Sequence, residues 1–268
     1  MILCPNAKIN LGLEVVRRRE DGYHDIETLF VPVPSLCDVL EVVKSDKPSL
    51  KTYGAAFDVP AEKNLCFKAF RLMQEQYGIG GVNIFLYKNI PMGAGLGGGS
   101  SDAAFTLVAI NEVFGLGLSK NRLAQIASHL GSDCPFFIYN TPMFASGRGE
   151  ILEPYPLDLT GYHIEVVTPG IHISTPEAYK GVDEIKFLSE PSAGSIAGSI
   201  AAAGVGLKER ISDGIGHWRE NVVNDFEAYA FAKYPILAQI KQSLYERDAV
   251  YAAMTGSGSA LYGIFPNI

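Results

Sequence analysis

Residues 91–104 read PMGAGLGGGSSDAA, and Gly93, Gly95, Gly97, Gly98 and Gly99 fall within seven of those positions. Glycine loses more conformational entropy on folding than any other residue, and a simple turn needs only one or two. A run this dense brings the backbone close to a ligand and turns successive N–H groups inward. Ser100, Ser101 and Asp102 follow directly, and all three residue types are good helix N-caps. A helix opening there would aim the positive end of its dipole at the glycines. The chemistry that suits this pattern is anion binding, with phosphate as the anion. The expected contributors are Pro91, Met92, Gly93, Ala94, Gly95, Leu96, Gly97, Gly98, Gly99, Ser100 and Ser101.

Three known phosphate-loop patterns compete for this stretch. A P-loop ends in Gly-Lys-Ser/Thr, and no lysine stands here. A protein-kinase loop is followed by a Val-Ala-Ile-Lys strand, also absent. The dinucleotide pattern GxGxxG is formally present at Gly93, Gly95 and Gly98, but any glycine-dense run contains it. Its acidic ribose partner belongs about 20 residues further on, where residues 115–122 read GLGLSKNR. NAD binding is therefore demoted.

The full spacing P-x-G-x-G-L-G-x-x-S-S-x-A-A resembles the second motif of the GHMP kinases. PNAKINLGL at 5–13, with RxDGYHDIETLF from Arg19 to Phe30, resembles the first motif and substrate loop of the family, and MTGSGSA at 254–260 resembles its third motif. The match spans most of the chain, in the family's order. It implies an α+β kinase of two domains, an ATP-binding one over 1–152 and a substrate-side one over 153–268, with the active site in the cleft between them. The triple glycine and DGYH point to the members that use ATP and Mg²⁺ to phosphorylate the 2-hydroxyl of a cytidine diphosphate-linked methylerythritol, on the non-mevalonate route to isoprenoid precursors. A kinase for another small alcohol, such as homoserine, and a non-catalytic nucleotide-binding member remain rivals.

The resemblance also assigns roles. Asp133, in GSDCPFF, taken alone is a turn aspartate; the family makes it the catalytic base, and a carboxylate ionised at neutral pH suits that task. Lys8 stands between Ala7 and Ile9 in a strand, an unusual place for a cation without an anion; it either faces water at an edge or turns inward to Asp133 as the second catalytic residue. Tyr23 and His24 would bind cytosine, a flat uncharged ring with amide-like donors and acceptors, with Tyr179, four residues past Thr175, as the second aromatic. Asn10 and Thr175 join this substrate set. Lys88 would meet a phosphate or the adenosine, and Asn64 the adenine side. Thr255, Gly256, Ser257 and Gly258 would shape the acceptor side. Ser101 would help hold Mg²⁺, or the ion would be carried by ATP and water. Members of the family continue past the third motif with a further helix, whereas this sequence ends three residues after Phe265.

Positioning these residues requires alternating strands and helices. Ile9–Val16, Ile26–Val33 and Val39–Val43 have strand character. Asn64–Tyr77 is apolar at helical spacing and stopped by Gly78. Val82–Ile90 is expected as a strand, about Ser101–Phe114 and Asn121–Leu130 as helices, and Phe136–Tyr139 as a short apolar strand. Proline enrichment at Pro154 and Pro156 marks the boundary near residue 152. Beyond it, Ile164–Val167, Val250–Met254 and Ala260–Phe265 are expected strands and Asn224–Lys233 a helix. Ser192–Gly206 is either a loop or a weak helix.

Composition narrows the class. The chain has 268 residues, 47% hydrophobic and 19% charged, with net charge −7. Nucleic-acid binding is disfavoured, since phosphate backbones need a positive surface; the triplet Arg17-Arg18-Arg19 is a local anion contact or a solvated turn. Cys4, Cys37, Cys66 and Cys134 form no CxxC pair, so neither a zinc site nor a disulfide framework is expected. The N-terminus lacks a basic leader, no apolar run nears the roughly 20 residues of a membrane helix, and a cytoplasmic location is expected.

Overall fold

Leu65–Tyr77 (α1) is helical because both ends are specified locally. The Asn64 side chain accepts the Cys66 N–H at its start, and Gly78 ends it at φ 63°. This helix belongs to the computed structural model of the chain, which describes residues 1–54, 60–188 and 205–267. The expectation for Ser192–Gly206 therefore falls almost wholly outside the described residues. Two compact units divide the chain. One comprises Met1–Lys8, Pro32–Met92 and Gly97–Thr141, the other Ile9–Val31, Gly93–Leu96 and Pro142–Ile268.

In the first unit, β1 (Ile2–Leu3), β4 (Val39–Ser45), β6 (Gly81–Lys88) and β5 (Ser49–Gly54) form a sheet in that order. β4 pairs antiparallel with β6, from Val39 opposite Tyr87 to Ser45 opposite Gly81, while β5 runs parallel to β6. The alternation of β6 buries Val82, Ile84 and Leu86, and α2 (Gly98–Phe114) packs on β4 and on α1. α3 (Lys120–Ala127) is capped by the Ser119 hydroxyl.

Residues Cys134–Tyr139 form a helix (α4), not the strand expected over Phe136–Tyr139. A short apolar run carries no periodicity of its own. The deciding residues flank it: Pro135 sits in the first turn, where its fixed φ and missing N–H do no harm, and Asn140 closes the helix at φ 51°. α2 also begins earlier than Ser101. Its N-cap is Gly97 at φ 72°, so Ser101 and Asp102 lie inside the helix and are buried.

β2 (Asn6–Arg18) and β3 (His24–Cys37), whose parts within Ile9–Val31 belong to the second unit, join β7 (Met143–Ser146) and β8 (Ile151–Pro154) of that unit in the sheet order β2-β3-β7-β8. Thr28, Leu29 and Phe30 pair antiparallel with Ala145, Phe144 and Met143. A second sheet has the order β10 (Tyr251–Met254), β11 (Leu261–Pro266), β9 (Tyr162–Val167), all antiparallel. The helices α5 (Thr175–Val182), α6 (Leu207–Ser212), α7 (Phe226–Lys233) and α8 (Pro235–Glu246) accompany it. Ala178, Val182, Phe226, Ala230, Leu237 and Leu244 from three of them share one buried cluster with Met254 and Leu261 of the sheet. No helix among the described residues is long and apolar enough to cross a membrane.

Candidate active site

Lys8 is 4% exposed, in a stretch of β2 buried from Asn6 to Leu13. Its Nζ lies 3.7 Å from Asp133 Oδ2, so of the two readings left open by the sequence the inward one holds. Its stem is fitted to the glycine loop: a Cβ on Gly97 would stand 3.1 Å from Lys8 Cγ and 2.9 Å from the Phe137 ring. Gly97 is thus required twice, by its positive φ and by the side chains against it. Burial pulls the Lys8 ammonium below the ordinary lysine value, opposed by the charge and hydrogen bond of Asp133. Asp133 occupies the N-cap position of α4, and its side chain remains 34% exposed. A half-open carboxylate beside a buried cation can accept a proton from a hydroxyl while the cation holds it in place.

The first backbone bond of α2 runs from Ser101 N–H to the Gly97 carbonyl, 2.9 Å. The N–H groups of Gly98, Gly99 and Ser100 precede it, as the first donors of any helix do. The Ser101 hydroxyl is wholly buried and lacks a partner. Asn64 spends its side-chain oxygen on capping α1. The Lys88 ammonium, expected near a phosphate, is 5% exposed and sits between Asp38 and Asp102. Burial lowers its affinity for the proton, but the two carboxylates outweigh burial and hold it above the ordinary lysine value. Asp102 moves the other way from most paired carboxylates: burial pushes it up, with Lys88 opposing.

The second unit gathers the rest of the loop with the third motif. A Cβ on Gly95, at φ 81°, would stand 2.2 Å from the Thr255 carbonyl oxygen. The Thr255 hydroxyl reaches the Gly95 carbonyl at 3.3 Å and Asn10 Oδ1 at 3.2 Å, and the Asn10 amide group donates to Thr28 Oγ1. Asn224 Nδ2 braces the third motif by donating to the Met254 and Gly256 carbonyls. Thr175 Oγ1 lies 3.4 Å from Ser257 Oγ.

His24 and Tyr179 stack, centroids 4.6 Å apart and planes at 19°. His24 Nε2 lies 2.7 Å from Asp183 Oδ1, in a π-helical turn, Asp183–Phe187, that follows α5. Tyr23 is 52% exposed and carries the Arg148 guanidinium 3.7 Å above its ring centroid. Asp38, Arg148 and Asp183 escaped sequence reasoning. Arg148 had one available signal, a cation between Gly147 and Gly149 in a hairpin turn; Asp38 and Asp183 had none, since their partners are distant in sequence. Among the described residues, no group of three or more His, Cys, Asp or Glu side chains is arranged for a metal ion.

Two family models match the chain: the GHMP kinases N terminal domain over residues 64–141 and the GHMP kinases C terminal over residues 209–267. A relative named 4-diphosphocytidyl-2-C-methyl-D-erythritol kinase, from Parabacteroides distasonis, is 47% identical over 265 residues, 99% of this chain and 92% of the relative. A relative of the same name from Bacteroides thetaiotaomicron is 44% identical, covering 99% of this chain and 92% of its own. A solved structure titled 4-(cytidine 5'-diphospho)-2C-methyl-D-erythritol kinase superposes with TM-score 0.76 at 35% identity, covering 98% of this chain and 89% of that one.

Proposed function

The chain belongs to the GHMP kinases, among the 4-diphosphocytidyl-2-C-methyl-D-erythritol kinases, and from that premise we propose how its residues share the work of moving the γ-phosphoryl group of ATP to the 2-hydroxyl of that substrate. The products are the 2-phosphate and ADP, and the step belongs to the non-mevalonate route to isoprenoid precursors. The observation that carries the assignment of roles is the buried Lys8 beside the half-open Asp133.

Phosphoryl transfer asks a protein for alignment, charge neutralisation and a destination for the hydroxyl proton. Asp133 takes that proton. Lys8 holds Asp133 in place and stabilises the developing alkoxide. The N–H groups of Gly98, Gly99 and Ser100 receive phosphate oxygens at the positive end of α2. Pro91, Met92 and Gly93–Leu96 complete the loop, with Asn64 toward the adenine. Mg²⁺, when bound, neutralises phosphate charge. The orphaned hydroxyl of Ser101 suits an ion carried mainly by ATP oxygens and water, the usual habit of Mg²⁺. Tyr23, His24 and Tyr179 read the cytosine, and Asn10 and Thr175 the acceptor. The matched models fall on either side of residue 152, the division this reading adopts between an ATP-binding and a substrate-side portion. The same reading locates the enzyme in the cytoplasm.

The test is an ADP-release assay over a panel of alcohols that includes the cytidine diphosphate substrate and homoserine. Turnover confined to the cytidine compound is expected. Turnover of homoserine with no response to the cytidine compound would overturn the substrate assignment.

A further inference from the structure

The glycine loop is closed at its base by one ammonium group. Lys88 is the last residue of β6, just ahead of the loop, and Asp102 lies in α2, just behind it. Lys88 Nζ stands 2.6 Å from Asp102 Oδ2 and in contact with Asp38 Oδ2. The carboxylate of Asp38 then reaches forward to the lead-in of the loop. Its Oδ1 accepts the N–H of Asn89 at 2.6 Å and of Ile90 at 2.8 Å. Asn89 in turn donates its side-chain amide to the Cys37 carbonyl, 3.0 Å away. Asp38 is wholly buried, Asp102 is 3% exposed and Lys88 5%.

The clamp touches the loop's own geometry. Ile90, fixed by Asp38, leaves room for no side chain at position 98: a Cβ there would meet Ile90 Cγ2 at 2.9 Å, with Lys88 Nζ 3.4 Å away. Gly98 is the first residue of α2, one of those whose N–H groups open the helix. The separation between Ile90 and Gly98 therefore sets where those donors point. A buried ammonium held between two buried carboxyl groups, in place of apolar contacts, is a costly way to hold a fold together, since desolvation offsets most of their attraction. What they supply over apolar packing is direction and distance, the properties a phosphate site needs.

We propose that Asp38, Lys88 and Asp102 are positioning residues for the ATP loop, with Lys88 tying its two ends and Asp38 fixing its lead-in, and that none of the three touches the nucleotide. This rests on the reading of the loop as the ATP site. It separates Lys88 from a phosphate contact, because its donors are committed to carboxylates on both sides.

The experiment compares Lys88→Met, Lys88→Arg and the double variant Lys88→Met with Asp102→Asn, using the full chain. Lys88→Met leaves two buried carboxylates without their cation and is expected to lose thermal stability. The double variant removes one of those charges and is expected to regain stability, so it carries the test if the single variant does not fold. With the loop untied, KM for ATP should rise by about tenfold or more in the double variant, while kcat at saturating ATP and KM for the cytidine substrate change by less than about threefold. Lys88→Arg keeps a cation between the carboxylates and should recover part of the ATP affinity. A double variant with restored stability and a wild-type KM for ATP would overturn the clamp, as would an equal loss in both substrates. Gly95→Ala serves as the control for the loop reading. If it binds ATP like wild type, the loop is not the ATP site and the clamp falls with it. If it loses ATP, a wild-type KM in the double variant overturns the clamp alone.

Discussion

Replacing Asp133 by Asn keeps the shape of the side chain and removes both its charge and its ability to accept a proton. Two unit charges at the observed 3.7 Å attract by about 4 kcal/mol at an effective dielectric of about 20. Asp133 is one-third open to water, and solvent screening reduces this to roughly 1–2 kcal/mol. That is the expected loss of stability, a fall of a few degrees in Tm. The chemical loss is larger. General-base help is worth about 10²–10⁴-fold in rate, or roughly 3–5 kcal/mol of barrier, so kcat should fall by that factor. ATP affinity should hold, because the loop glycines and the start of α2 make no use of the Asp133 charge. The assays are kcat from coupled ADP release at saturating substrates and ATP affinity by calorimetry on the same preparation. Retention of kcat within about threefold would remove Asp133 from the role of base. A parallel loss of ATP affinity would show that the residue supports the loop instead.

Three further outcomes follow from the same geometry. Because burial lowers the Lys8 ammonium from the ordinary 10.5, kcat should decline as pH rises through a value below 10.5, where the lysine loses its proton and its hold on Asp133. Lys8→Arg should lack that decline, since a guanidinium stays charged, and a decline that persists in the variant would assign it to another group. Gly95→Ala forces a non-glycine residue to positive φ, about 1–2 kcal/mol, and drives its Cβ to 2.2 Å from the Thr255 carbonyl oxygen, a backbone atom that cannot rotate away. Calorimetry should find ATP binding weakened far more than acceptor binding, and unchanged ATP affinity in a folded variant would return the stretch to a simple turn. Tyr23→Ala should cost about 1–3 kcal/mol of acceptor affinity if the ring stacks on cytosine, with KM for ATP nearly unchanged. Equal losses for both substrates would mean that Tyr23, with Arg148 over its ring, supports the fold.

Elements with local signatures were legible in the sequence. Asn64 and Gly78 bracket α1 as capping rules require, and the strands expected over Val82–Ile90 and Ala260–Phe265 match β6 and β11 to within a few residues. Elements whose identity depends on their surroundings were not. Phe136–Tyr139 is apolar throughout and buried from Phe136 to Ile138, so it offers no period to read, and its helical state rests on Pro135 and Asn140. The start of α2 was misjudged for a related reason. Ser100, Ser101 and Asp102 are good caps on a free helix, but here Gly97 adopts the capping position and the polar residues are drawn inside, Asp102 to meet Lys88. β5, β7, β8 and α8 carried no signal strong enough to be predicted.

The site divides along the same line. Residue types suggested a phosphate loop, a cation in a strand, a carboxylate and rings, and the family resemblance offered Asp133 to Lys8, but the partners of Lys88 and His24 were not legible. A buried lysine must find an anion, and two lysines flank this problem: Lys8 and Lys88, each 5% exposed or less. From sequence, Lys8 either faces water or turns inward to Asp133, and Lys88 is expected to meet a phosphate or the adenosine. The fold resolves them by supply of carboxylate. Lys8 has the half-open Asp133, whose carboxylate still faces water. Lys88 has two carboxylates closed around it, one of them Asp38, 50 residues away and at the junction of two strands. No spacing rule reaches that far, because β4 brings Asp38 to the end of β6 only once both strands are paired, Val39 opposite Tyr87. Lys8 and Lys88 are therefore alike in burial, and what separates them is whether the partner anion still faces water.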